Sequence, residues 1–191
     1  MEQKLEILKS IIAERRTVKQ AMMNGKKIDN SVINELLELA TWAPTHGKTE
    51  PWYFEIYTGE SLKQFCLDHA EMYKANAQVF AEGTYLNLKN MGNTVSHLLV
   101  SICKRGSLDK IPLLEEIAAT SAAIQNILLG AESLGISSIW STGGMALKPA
   151  MKSYFNLGEE DTVMGLLFLG YSDVKPTGSR NKSISEISNW H

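Results

Sequence analysis

Hydrophobic positions three and four residues apart recur most insistently between Ile111 and Gly144. Leu114, Ile117, Ser121, Ile124, Leu128 and Ala131 fall on one stripe, and Ala119, Ala122, Ala123 and Leu129 cover much of the rest of the cylinder. Only a narrow polar seam of Glu115, Gln125, Asn126 and Glu132 remains. The pattern predicts a central helix over 113–134, apolar enough to be buried nearly all round. Small residues at 118, 119, 122, 123 and 130 let another backbone approach, Pro112 suits the first turn and Gly135 the position after the last. A strand-like 136–141 segment then runs into Thr142, Gly143 and Gly144, whose hydroxyl and amides are placed at a strand end, where layered folds bind ligands.

The other elements follow from the same two periods. Leu5, Leu8 and Ile12, flanked by Ile7 and Ile11, give a helix over 2–15 with Glu2 at its start and Arg15 and Arg16 at its end, a charge order that suits the helix dipole. A cap among Asp29, Asn30 and Ser31 opens a second helix through Val32, Leu36, Leu39, Ala40 and Ala43, which Pro44 ends. After a polar loop carrying His46, Lys48 and Glu50, alternation predicts a half-buried strand over 52–57. Residues 60–90 read as weakly helical, with Leu62, Phe65, Cys66 and Met72 as the clearest apolar positions, and are expected to form a mobile cover that helps select a substrate. A strand over 94–103 carries Leu98, Val100 and Ile102 on one face and His97 on the other, where a satisfied sheet histidine is expected. Residues 149–157 form a short helix, and the apolar run 163–169 a buried strand closed by Gly170. From Asp173 onward little can build a core, yet Ile184, Ile187 and Trp190 give this tail something to bury, and it is expected to pack against a surface such as that of a second subunit.

Composition narrows the chemistry. A chain of 191 residues with 44% hydrophobic content is expected to be one domain with a substantial core, and a net charge of −2 gives no electrostatic case for nucleic acid or an anionic membrane. Cys66 and Cys103 stand alone, which fits neither a disulfide framework nor a zinc site and suits a reducing compartment. The charged opening is neither a signal peptide nor a span, so a cytoplasmic location is expected. Phosphate-loop, dinucleotide-fingerprint, serine-hydrolase and zinc-protease motifs are all missing, the histidines at 46, 69, 97 and 191 lack ligand spacing, and no carboxylate pair stands out. A cofactor that carries the reactivity is therefore the economical expectation. Arg15, Arg16, Thr17, Val18 and Lys19 make a basic, hydroxyl-bearing corner with two readings: a solvated helix end, or an anion site in which two guanidiniums fork onto a phosphate.

The ordered set Arg15-Arg16-Thr17-x-Lys19, Ala43-Pro44 with Pro51-Trp52-x-Phe54, Ala131-x-x-x-Gly135 with Trp140-Ser141-Thr142-Gly143, and Leu169-Gly170-Tyr171 resembles the FMN-dependent nitroreductase family. The likeness spans nearly the whole chain apart from 60–90. It implies an α+β fold, with a central, mostly antiparallel sheet flanked by helices, in a homodimer that exchanges C-terminal arms, here residues 175–191. It implies FMN at the dimer interface, NADH or NADPH as reductant, and a small nitroaromatic, quinone or similar acceptor taken in a ping-pong cycle, with no nucleic acid or membrane partner, no metal and no covalently reacting side chain. Residue by residue, Arg15, Arg16 and Thr17 would hold the phosphate, ribityl chain and part of the ring. Lys19 would give electrostatic support at the pyrimidine end. His46 would reach the FMN of the partner subunit, Trp140, Ser141 and Thr142 would line the isoalloxazine, and Arg180, or Lys182 beside it, would complete the phosphate clamp.

Three positions depart from that pattern: Thr17 replaces a serine and keeps its hydroxyl, Glu50 replaces a frequent glutamine, and Trp42 stands where a basic residue is common. A carboxylate near the flavin would disfavour its reduced anion, so the competing reading is a flavin-binding, flavin-storing or regulatory protein of the same fold. An unliganded homodimer, with the basic corner only a helix end, is the third.

Overall fold

Two apolar clusters on opposite faces of one sheet organise the chain, described for residues 2–191 in a computed structural model. The sheet has four strands, β1 (Trp52–Thr58), β2 (His97–Cys103), β3 (Ser137–Ser141) and β4 (Thr162–Gly170), in the order β1-β2-β4-β3 with every pairing antiparallel. β2 is central and buried throughout, which is why its sequence is an apolar run rather than an alternation. Its Leu98, Val100 and Ile102 face one cluster and its Leu99 the other. His97 is bonded on both ring nitrogens, with Ser96 Oγ at 3.0 Å from Nδ1 and Asn30 Oδ1 at 2.9 Å from Nε2, as a satisfied sheet histidine should be.

Helices cover both faces. α2 (Asn30–Thr41) and α5 (Leu113–Ser133) pack on one side, and α3 (Gly59–Asn76) and α6 (Pro149–Tyr154) on the other, with α4 (Glu82–Asn90) against α3 and α1 (Glu2–Glu14) along α5. Asp29 is the cap of α2, its carboxylate accepting from the Ser31 amide at 2.8 Å, and Gly135, at φ +68°, ends α5. Gly130 sets how closely α5 approaches α2: a Cβ there would lie 2.5 Å from Leu39 Cδ1.

Three expectations change. α5 is not buried all round in the single chain: Leu114 is 75% exposed, while Glu116, absent from the anticipated polar seam, is 1% exposed. The helix has turned its Glu116, Thr120, Ala123 and Ile127 edge inward because Arg105 and the Gly106 amide wait there to satisfy the carboxylate. In the 60–90 segment, α3 is a core layer, burying Leu62, Phe65, Cys66, His69 and Ala70 on one stripe, and only α4 is lightly held, by Leu88. α1 has no fully buried residue, and only its Ile11 is half-buried, along α5. No helix among the described residues is long and apolar enough to cross a membrane.

Candidate functional site

The basic corner and the end of β3 are distant in sequence and adjacent in space. Beyond α1 the chain extends, and Thr17 forms a parallel bridge with Ser138, the Val18 amide donating to Ser138 O at 3.0 Å. Val18 points into the core, so its neighbours Thr17 and Lys19 are left outward, beside a strand that ends three residues later at Ser141. Arg15, Thr17, Lys19, Ser141 and Thr142 are thus brought to one edge of the sheet.

The tail completes this edge from the other end of the chain. Lys175 binds Glu132 at 2.5 Å and approaches Glu14 at 3.8 Å, which steers the following residues past the end of α1. Gly178 then lies directly on Arg16, where a Cβ would stand 2.4 Å from Nε. Arg180 follows two residues later, within about 7 Å of chain, and Lys182 two beyond that. Arg16 donates to Arg15 O at 2.6 Å and to Ala13 O at 2.5 Å, and Arg180 to Ser179 O at 3.0 Å. Among the described residues neither of these arginines, nor Arg15, Lys19 or Lys182, is paired with a carboxylate, while Glu14 and Glu132 are engaged by Lys175. Like charges gathered without counter-ions are unfavourable unless an anion joins them.

Trp140 is committed to its own chain. Its indole donates to Met164 O at 2.8 Å and lies over Gly165, whose φ of +135° and absent Cβ make room for it. Of the three residues expected to line a ring, Ser141 and Thr142 are therefore the open ones, together with Gly143, whose amide has only a 3.5 Å contact to Ser141 Oγ. His46 stands elsewhere. It bonds Glu115 Oε2 through Nδ1 at 2.7 Å in the first turn of α5, about 27 Å of helix away from the end that leads into β3. Its loop is built rather than loose: Gly47, Lys48 and Glu50 all have positive φ, and Gly47 packs on Ile111 and Leu108. Within one chain the structure does not bring His46 to the basic corner.

Sequence reading missed one residue of the site region. The turn Thr142–Gly144 rests on His69 of α3, whose Nε2 accepts the Met145 amide at 2.8 Å. Burial pushes this imidazole down to about 4, so it is neutral across the ordinary pH range. Its place in the 62, 65, 66, 69, 70 stripe was the available signal, since a histidine at a core position needs a partner.

The Nitroreductase family model matches residues 12–171, from the end of α1 to the residue after β4. The chain belongs to the nitroreductase family. Its fold is nitroreductase-like: the nitroreductase-like family protein from Bacillus cereus superposes with a TM-score of 0.81 at 26% identity, covering 96% of this chain and 95% of that one. YfhC of Bacillus subtilis (strain 168), whose name designates it provisionally as an NAD(P)H nitroreductase, is 26% identical over 181 residues, 94% of this chain and 92% of its own. A solved structure in complex with FMN from Desulfovibrio desulfuricans has the same fold, with a TM-score of 0.73 at 16% identity over 96% of each chain.

Proposed function

We propose that this nitroreductase-family protein is an FMN-dependent oxidoreductase that works as a homodimer. The observation that carries the reading is the set of unpaired cations gathered by the Thr17–Ser138 bridge and the Gly178–Arg16 contact, next to the open Ser141–Gly143 segment. An FMN phosphate is the anion this edge fits, and a ring beside it meets hydroxyls, amides and Lys19. Arg15, Arg16, Thr17 and Arg180 bind and orient the phosphate end, and Ser141 and Thr142 the ring edge. FMN held there would supply the redox chemistry between NADH or NADPH and a nitroaromatic, quinone or similar acceptor, with this chain's residues binding and orienting it.

A second copy supplies what one chain lacks. The exposed apolar side chains of α1, Leu5, Leu8 and Ile12, continue through Leu39 to Trp42, which is 80% exposed. A patch of this kind on a folded chain marks an interface, and a two-fold axis would bring His46 of one chain to the flavin edge of the other. The 175–191 arm, with Ile184, Ile187 and Trp190 between 65% and 93% exposed, would bury them on that partner.

The test is the visible spectrum of purified protein followed by NAD(P)H oxidation with an added quinone. Flavin absorbance and turnover are expected. Protein that stays colourless after incubation with FMN overturns the cofactor, and flavin that is held but never reduced makes this a flavin-binding or storage protein. Arg15→Ala should remove a charge-assisted phosphate contact of about 1.5–3 kcal/mol, weakening FMN binding roughly 10- to 150-fold by fluorescence titration. Unchanged affinity would remove Arg15 from the site.

A further inference from the structure

The exposed turn after β3 is held from beneath by the part of the chain that carries no family motif. Thr142, Gly143 and Gly144 are exposed, whereas Met145 and Ala146 plunge into the core. What stops the turn from sliding is a single directional contact across 76 residues, Met145 N–H to His69 Nε2. His69 is 2% exposed, and Phe65, one turn earlier on α3, flanks its ring with centroids 6.0 Å apart. The fit leaves no slack: Gly144 adopts φ +63°, and a Cβ on it would sit 2.6 Å from His69 Nε2 and 2.9 Å from Leu88 Cδ2 of α4. α3 and α4 together form the floor on which the turn lies.

We propose that His69 is a positioning residue of the site: by accepting the Met145 amide, its Nε2 fixes the path of the Thr142–Gly144 turn and so the placement of the Thr142 hydroxyl and the Gly143 amide toward the flavin. The inference rests on the flavin reading above. Because Nε2 accepts, the ring proton sits on Nδ1 and the side chain acts as a neutral acceptor. An apolar ring of similar size fills the space but leaves the Met145 amide buried without a partner, and the turn must move to rehydrate it. A glutamine can return an oxygen to the place of Nε2.

The experiment compares FMN dissociation constants, and the visible absorption and circular dichroism of the bound flavin, for wild type, His69→Phe, His69→Gln and Ile33→Ala. Ile33 is buried on α2, on the opposite face of the sheet, so its truncation destabilises the fold without touching the turn. His69→Phe is expected to bind FMN roughly ten-fold more weakly with an altered flavin band shape, a change that follows from one lost buried hydrogen bond. His69→Gln should restore both affinity and spectrum, and Ile33→Ala should keep both despite its lower stability. Wild-type affinity and spectrum in His69→Phe overturn the proposal, as does an equal loss in Ile33→Ala, because the effect is then one of stability alone. A wild type that takes up no FMN overturns the flavin reading and this inference together.

Discussion

Replacing Glu116 by alanine should lower the unfolding free energy of the apoprotein by about 3–5 kcal/mol, the range for removing one partner of a buried ion pair. Glu116 accepts from Arg105 Nη1 at 2.7 Å and from the Gly106 amide at 3.2 Å, and its side chain is almost wholly out of water. Truncation strands the Gly106 amide and leaves the Arg105 guanidinium only the exposed Glu160, 3.4 Å from its Nε. The loss reaches the loop of His46 because Gly106 is wedged between Glu116 and Thr49, so close that a Cβ there would meet both. Thr49 belongs to the loop of His46, and His46 in turn bonds Glu115, the neighbour of Glu116. Urea unfolding at fixed protomer concentration, without added FMN, gives the comparison. Glu116→Gln, which keeps acceptors without the charge, should lose less than Glu116→Ala. A loss under about 1 kcal/mol for alanine would mean that the pair is solvated and the loop is held by something else.

Acid should unfold the protein in a window set by His69. Its folded imidazole is held down to about 4 by burial, against an ordinary value of 6.5. The sign follows directly: below 6.5 the unfolded chain takes up a proton that the folded chain refuses, so stability falls as pH drops from 6.5 towards 4, and the stabilising difference is fully present above 6.5. At 1.36 kcal/mol for each pH unit, the loss across that window is about 3 kcal/mol. His97, also held low by burial and by Lys27, works in the same direction. The measurement that isolates His69 is the difference in unfolding free energy between wild type and His69→Gln from pH 7.5 to 4.5, since His97 is common to both. The two curves should converge as the pH falls, because only wild type carries this histidine. Parallel curves would show that the imidazole can be protonated in place.

How much of this was legible beforehand depended on the range of the interaction concerned. The helix that became α5, the apolar run of β4 and the Asp29 cap depend on residues within one or two turns of each other, and a period or a cap residue shows them directly. The basic corner was equally visible, though its two readings stayed open until the chain was folded. The rotation of α5 was not visible, because a helix apolar on most sides has no unique inward face, and Arg105 decided it by taking Glu116. The 60–90 segment read as only weakly helical because its stripe includes a histidine, which hydrophobic patterning counts as polar.

By itself, then, the sequence determined the order and kind of the elements and the chemistry each one carries: guanidiniums after the first helix, hydroxyls and glycines after the third strand, cations in the tail. Only the tertiary structure decided which of these meet. Thr17 reaches Ser138, Gly178 reaches Arg16 and His69 reaches Met145 because two apolar clusters must close on opposite faces of one sheet, and that closure fixes strand order and register. Contacts of that range are consequences of packing the whole chain, and no local period encodes them.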